Sequence, residues 1–584
     1  MYERTGKLIR EKFKEYLLPT VLTSMAVSMA SVVDGAIVGN LLGDIALAAV
    51  GLAGPIIFCI NLIYMLFGIG GLTCASIAKG KREKEQANLI FTLSMCGGMA
   101  VMLLFSITMQ FVLSPISKFL SGDDVLLANL LESYLRPLVF TGPALMFSSG
   151  MALFIRTDGK PKSSSAVVIV ANIVNLIFDY VFIRFFNMGI WGAGFSTALG
   201  YIVGAAVVVP YLSSKKRNFH FVRPAKGSIS TLGNILFTGL PKSLIQAANI
   251  LRSLVLNGII IGLFGPIGMS VMTVCLNVQM ISNIFVSGVS DTLLPIVGTL
   301  YGEGDNFGIR QTMKNSACVL AASCALLIVF ILVAPQVMGI AFGIRTAEGL
   351  EALNPALRFF ALYLPFDAAI QLLQNFFTTT KRRSLASGMV LLNGLGFVLL
   401  FAFIFSRVIP SIFWLCYACS GTATLLTTFV LCRVIGRKEK ICGFLLLNEQ
   451  RDENVIRYDI TIDASAEQAA GLSEHIIELC KKHKPNASSS NKVGVAVEEM
   501  AVCTAHYAHK EGKRGVIDVQ VSFSDETLDI YFRDNGVDFN PLDYKADEND
   551  GCITDGIELM KCLTSKIEYT RQLGFNSTHL RFHM

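Results

Sequence analysis

Apolar residues run along this chain in stretches of about twenty or more, separated by short polar segments, from near residue 16 to near residue 435. Stretches of that length have no two-residue alternation and are long enough to cross a hydrocarbon layer of about 30 Å as helices. The pattern predicts twelve spans, near 16–40, 47–75, 88–113, 130–155, 162–186, 190–212, 232–262, 267–299, 313–342, 354–378, 384–407 and 411–435. Residues 1–15, basic and amphipathic, are expected to lie on the membrane surface as a helix. Beyond residue 440 the long runs stop, residues 441–454 read as a linker, and 455–584 alternate like a small soluble domain.

Composition agrees with a polytopic membrane protein, since 53% of the 584 residues are hydrophobic and only 16% charged. The net charge of +6 sits in short loops and reports topology rather than a nucleic-acid partner. Lys79, Lys81, Arg82 and Lys84, then Arg156, Lys160 and Lys162, then Lys381, Arg382 and Arg383, and finally Arg433, Arg437, Lys438 and Lys440 all fall on one side. By the positive-inside rule that side is the cytoplasm, and both termini and residues 441–584 are placed there, with the spans in the cell membrane. The fourteen cysteines are expected to be small apolar residues, neither metal ligands nor a disulfide framework.

A shift of 222 residues aligns Leu18–Pro19 with Leu240–Pro241, Gly43 with Gly265, Gly80 with Gly302 and Pro143 with Pro365. One register kept across four landmarks argues for two homologous halves of six spans, 16–212 and 232–440, joined by a linker at 213–231. Six is even, so both halves cross in the same sense, as in transporters with parallel repeats and a substrate path between lobes.

Asp34 is a carboxylate inside the first span, where a charge costs roughly 2.5–3.5 kcal/mol on insertion scales and so faces a bundle interior or water. In the fifth span Asn172, Asn175 and Asp179 share one helical stripe, and Thr197 follows in the sixth. At the 222-residue offset Asp34, Asn175, Asp179 and Thr197 become Leu256, Phe397, Phe401 and Cys419, so the polar set belongs to one half only. Two acids with amide and hydroxyl oxygens suit a proton or a sodium ion, the expected coupling ions. In the second half Asp291 and Asp367 are carboxylates at or near spans, Gln246, Asn249, Asn257, Asn277, Gln279, Asn283, Gln371, Gln374 and Asn375 give an amide-rich character, and Gln279, Asn283, Gln371 and Gln374 are candidates for lining a substrate cavity. Interhelical hydrogen bonding, worth about 0.6 kcal/mol per bond, is the alternative for the amides.

VVDGAIVG, AKGKREKEQAN, NIVNLIFDYVFI and GAGFSTALG together resemble the multidrug and toxic compound extrusion (MATE) family, in its bacterial branch of MepA-like and damage-inducible exporters. The resemblance covers about residues 10–435. It implies a cation-coupled antiporter that exports small organic, often cationic, compounds and needs no cofactor, with Asp34, Asn175, Asp179 and Thr197 as its cation site. A monomer in contact with membrane lipid is expected. The superfamily also holds lipid-linked oligosaccharide flippases, which remain an alternative.

The tail reads as an α+β sandwich: a strand in RYDITIDA, helices at 466–483 and 489–509, a hairpin through VIDVQVSF and TLDIYFRD, a helix at 553–564 and a final hairpin. With AVEEMAVCTAHYAH, DNGVDF and TDGIELM it resembles the histidine-kinase-like ATPase domain of anti-sigma-factor serine kinases. Glu499, Asp534, Gly536 and Gly556 match that family's nucleotide-binding positions, whereas Cys503 replaces a magnesium-holding Asn and Asp538 a Gly. A thiol is a poor ligand for a hard cation. The departures argue against hydrolysis or kinase activity, and leave nucleotide sensing, a docking surface for a cytoplasmic protein, or no nucleotide at all. A membrane-anchored signalling protein of the anti-sigma type is a further alternative.

Overall fold

The computed structural model describes residues 4–121, 124–215, 217–224, 228–341, 347–441, 443–447, 455–483, 487–508, 515–524, 526–543 and 551–583; most of the 441–454 linker lies outside them. Among the described residues twelve helices are long and apolar enough to cross a membrane, one for each predicted span: α1 (Lys7–Leu42), α2 (Gly54–Gly80), α3 (Lys84–Ser121), α4 (Val125–Thr157), α5 (Pro161–Arg184), α6 (Gly189–Ser213), α7 (Ser228–Gly265), α8 (Ile267–Glu303), α9 (Asn306–Val333), α10 (Ala347–Thr379), α11 (Arg383–Val408) and α12 (Pro410–Glu439). Cys416 and Cys419, the one CxxC spacing in the sequence, are free thiols in α12.

The backbone carries the repeat further than the side chains do. Gly43 and Gly265, 222 residues apart, are both left-handed, with φ of +86° and +58°. The same offset links Arg82 to Gly304 (φ +64° and +77°) and Gly159 to Lys381 (φ +86° and +62°). Turns at equivalent places need the same conformation, and a non-glycine residue takes it at a cost.

Glycines let the halves meet. A Cβ on Gly239 of α7 would lie 2.5 Å from the Leu66 carbonyl of α2, and one on Gly70 would strike the Ile235 carbonyl of α7. Elsewhere each half has its own apolar core, one built around Phe91, Phe154 and Phe219, and one around Phe360, Tyr363, Phe413 and Tyr417.

Contacts divide the chain into two compact units, Glu15–Asp305 with Thr312–Val434, and Met1–Lys14 with Asn306–Gln311 and Ile435–Met584. Helix α1 runs unbroken from Lys7 to Leu42. Within the second unit, the tail has a five-stranded antiparallel sheet in the order β1-β2-β3-β5-β4: β1 (Ile456–Asp463), β2 (Val516–Phe523), β3 (Thr527–Asp534), β4 (Lys566–Gln572) and β5 (Phe575–His583). Helices α13 (Ala466–His483), α14 (Ala487–Cys503) and α15 (Gly551–Leu563) pack on the face that presents Ile460, Val519, Val521, Ile530 and Phe532.

The chain's first residues complete this unit. Arg4 reaches Asp518 (Nε to Oδ2, 3.1 Å) and Asp459 (3.6 Å), and the Thr5 N–H donates to Thr461 Oγ1 at 3.0 Å. One turn into α1, Glu11 accepts from Asn535 Nδ2 at 3.0 Å, and Lys12 stands 5.0 Å over the Phe575 ring.

Candidate functional site

In the first half, α5 and α6 pack closely because Gly200 has no side chain: a Cβ there would stand 2.5 Å from the Ala171 carbonyl and 3.0 Å from Asn175 Cβ. That approach brings Asn175 and Asp179 of α5 against Ser196 and Thr197 of α6. Asn175 Nδ2 lies 3.2 Å from Asp179 Oδ2, 3.3 Å from Thr197 Oγ1 and 3.4 Å from Ser196 Oγ. Ser196 donates to Asp179 Oδ1, and Thr197 to the Ala193 carbonyl at 3.1 Å. Asp34, from α1, comes within hydrogen-bonding reach of Asp179, which is fully buried.

Two carboxyl groups share a hydrogen bond only when one of them holds a proton. The site can therefore store one proton between Asp34 and Asp179, with neutral donors fixing Asp179. Without that proton, the oxygens of both acids, Ser196 and Thr197 are the groups present for a sodium ion, while Asn175 faces them with its Nδ2. Asn172 is not drawn in, because its amide donates to the Val168 carbonyl of its own helix at 2.8 Å. Ser196 is a component that the sequence stripe missed. Its position beside Thr197, facing the α5 stripe across a glycine-lined contact, was the available signal.

A cavity of about 300 Å³, lined by the second half together with Met65 of α2, has Gln279, Asn283, Gln371 and Gln374 in its walls, all four of the amides named as cavity candidates in the sequence. Its centrepiece is Asp367, which accepts from the Tyr363 hydroxyl at 2.9 Å, Gln371 at 3.0 Å and Gln279 at 3.4 Å. Gln371 also donates to Asn283 at 3.0 Å, and Asn393 donates to the Tyr363 hydroxyl at 3.2 Å. Two cations on α7, Lys242 and Arg252, line the same space. They were hidden in the sequence by the apolar residues around them.

In the tail, Asp534 ends β3 and its Oδ1 accepts from the Gly536 N–H at 2.8 Å and Asn576 Nδ2 at 2.9 Å. Burial pushes the Asp534 carboxyl up to about 6. Asp538 is held by the Tyr569 hydroxyl at 2.8 Å and by Arg571 at 3.7 Å, so this loop is pinned to β4. Glu499 of α14 lies against Gly556 of α15, where a Cβ would fall on its carboxylate. One turn on from Glu499, the Cys503 thiol is buried in the domain core and pushed up to about 12 by that burial, so it is held protonated.

Residues 19–181 and 241–405 match the MatE family model. The chain belongs to the MatE family. The two matched segments fall one in each half of this MatE protein. Residues 462–583 match the histidine kinase-like ATPase domain. Among curated relatives, the multidrug export protein MepA of Staphylococcus haemolyticus is 22% identical over 386 residues, 66% of this chain and 78% of the relative. The MepA of Staphylococcus saprophyticus is 21% identical over 286 residues, 48% of this chain and 62% of the relative. The chain thus spans less than two thirds of that relative's length. A crystal structure of a MATE protein in complex with MaL6 superposes with a TM-score of 0.69 at 19% identity, covering 75% of this chain and 99% of that one, which shows a shared fold.

Proposed function

We propose that this MatE protein is a cation-coupled antiporter that exports small organic compounds bearing a cationic group. The observation that carries the reading is the Asp34–Asp179 pair, two carboxyls within hydrogen-bonding reach inside a membrane-spanning bundle and fixed by Asn175 and Ser196. A proton shared there has to leave before both acids can ionise, and the ionised pair repels itself. Loaded and unloaded forms therefore favour different arrangements of α1 against α5, and a ligand moves such an equilibrium only through differential affinity. The substrate binds in the cavity around Asp367, preferring the arrangement that the loaded pair disfavours. Sodium is the second reading for the coupling ion, favoured by the neutral hydroxyl oxygens of Ser196 and Thr197.

The tail is a cytoplasmic regulatory module with no hydrolytic activity of its own. Its buried, protonated Cys503 supports this, because it offers no oxygen where magnesium would sit beside Glu499. Efflux unchanged after removal of 450–584 from a stably expressed protein would contradict a regulatory tail.

Ethidium efflux from energised cells tests the reading, comparing the wild type with Asp34→Asn and Asp179→Asn at matched expression. Loss of efflux in both variants is expected, with collapse of the wild-type rate under a protonophore if the ion is a proton, or on sodium removal if it is sodium. Wild-type efflux that neither condition slows would sink the proposal.

A further inference from the structure

The cavity in the second half carries a charge that cation export leaves unused. Arg252 projects from α7 to its wall, half-buried, donating to Asn249 Oδ1 at 2.9 Å and lying 5.9 Å from the centre of the Tyr417 ring. No carboxylate pairs with it among the described residues. Lys242, the other cation on the wall, does have one: its Nζ is 3.2 Å from Asp291 Oδ1. Asp367 faces the same space with oxygens held by the neutral donors Tyr363, Gln371 and Gln279, and it too has no cation bound to it among the described residues.

Arg252 and Asp367 line the same cavity, and no hydrogen bond or ion pair joins them among the described residues. A positive and a negative group thus stand on the wall of one cavity that the amides of Asn249, Gln279 and Gln371 also line. An unpaired charge away from bulk water is costly, and a ligand that supplies the missing counter-charge is favoured for that reason. A ligand carrying only a cation satisfies Asp367 and meets repulsion from Arg252. The opposite holds for a simple anion. Only a ligand with both charges pairs both groups, and the planar guanidinium fork matches a carboxylate with two parallel hydrogen bonds.

We propose that this cavity binds a zwitterionic organic solute, its carboxylate on Arg252 and its ammonium on Asp367. The proposal rests on the cavity being the exporter's substrate site. It narrows the substrate from organic cations to amphoteric compounds. The cavity volume of about 300 Å³ falls within the range of sites that hold small organic ligands.

The test is counterflow into proteoliposomes holding the full chain, using labelled probes in matched pairs: tryptophan with its methyl ester, and para-(aminomethyl)benzoate with its methyl ester, beside ethidium as a plain cation. The first pair sets the two charges close together and the second holds them apart. Wild type is expected to carry at least one zwitterion about tenfold faster than its ester, and Arg252→Gln to reverse that preference, whereas Arg252→Lys keeps the sign with a smaller ratio. Thermal stabilisation of the purified wild type by the same zwitterion, and not by its ester, is the readout independent of any variant's folding. If ester and ethidium move under an ion gradient at rates that match or exceed both zwitterions, and Arg252→Gln leaves the ratio unchanged, export stands and the zwitterion proposal fails. If none of the probes moves under any gradient, the exporter reading fails and takes the proposal with it.

Discussion

Gly80 and Gly302, equivalent residues of the two halves, meet backbone to backbone: a Cβ on either would stand 2.8 Å from the Cα of the other. Residues related by a repeat touch one another only where the axis relating the halves passes between them. The contact therefore marks that axis, and it sits where α2 and α8 end. Any rocking of one half against the other passes through a contact that tolerates no side chain.

Substituting Gly80→Ala or Gly302→Ala is expected to overpack this contact, at a cost of about 1–3 kcal/mol. The thermal midpoint of the detergent-purified protein should fall in each variant, and transport at matched protein should fall further than stability. A Gly302→Ala variant as stable and as active as wild type would show that the halves separate here more easily than the backbone contact implies.

Ser196 is expected to matter at least as much as Thr197, since it donates directly to Asp179 whereas Thr197 donates to a backbone carbonyl. Losing one hydrogen bond to a charged or charge-sharing group is worth about 1.5–3 kcal/mol, or roughly tenfold to a hundredfold in ion affinity. The dependence of efflux on ion concentration should shift by that factor in Ser196→Ala and less in Thr197→Ala. Equal small shifts in both would reduce Ser196 to a packing role.

Lys79 and Asp158 form a buried pair at 3.0 Å, with Tyr211 donating to the same carboxylate at 2.9 Å and Asn218 at 2.6 Å. Asp158→Asn leaves the ammonium of Lys79 without its carboxylate in a buried place, which costs about 3–5 kcal/mol. A lowered thermal midpoint is expected, with partial recovery in the double variant Lys79→Met with Asp158→Asn. An undiminished midpoint in the single variant would count against the pair.

Asp534 gives the tail a pH dependence of definite sign. Its folded value, raised by burial to about 6 from 3.8, means that the folded tail binds the proton more tightly than the unfolded chain. The resulting stabilisation is present below pH 3.8 and is lost as pH rises through about 6, amounting to about 3 kcal/mol in all. Limited proteolysis of the full-length protein should therefore cleave the tail faster at about pH 7 than at about pH 5, by more than the protease's own pH dependence. Asp534→Asn should flatten that difference. A difference that persists in the variant would assign it to other groups.

The sequence was most readable where one physical constraint dominates. All twelve spans were legible because a bilayer demands long apolar runs, and the tail's strands and helices because alternation and periodicity differ there. The repeat showed only at Gly and Pro; its other two left-handed pairs, Arg82 with Gly304 and Gly159 with Lys381, were masked because one partner carries a side chain. Asp34, Asn175 and Asp179 stood out as polar residues in apolar surroundings. Ser196 did not, since a serine in a small-residue helix is ordinary, and only packing at Gly200 turns it toward Asp179. Nor was Arg252 legible as a cavity residue, because only the packing of α7 brings it to the wall that Asp367 also lines.

Substrate and coupling ion are expected to compete through the Asp34–Asp179 pair. The most direct test of that competition is ion release from the purified full-length protein in weakly buffered solution when a transported substrate is added, followed with a pH indicator and, in parallel, with labelled sodium. Release of about one ion per bound substrate is expected in wild type and none in Asp179→Asn. Substrate binding to the wild type with no release of either ion would contradict it.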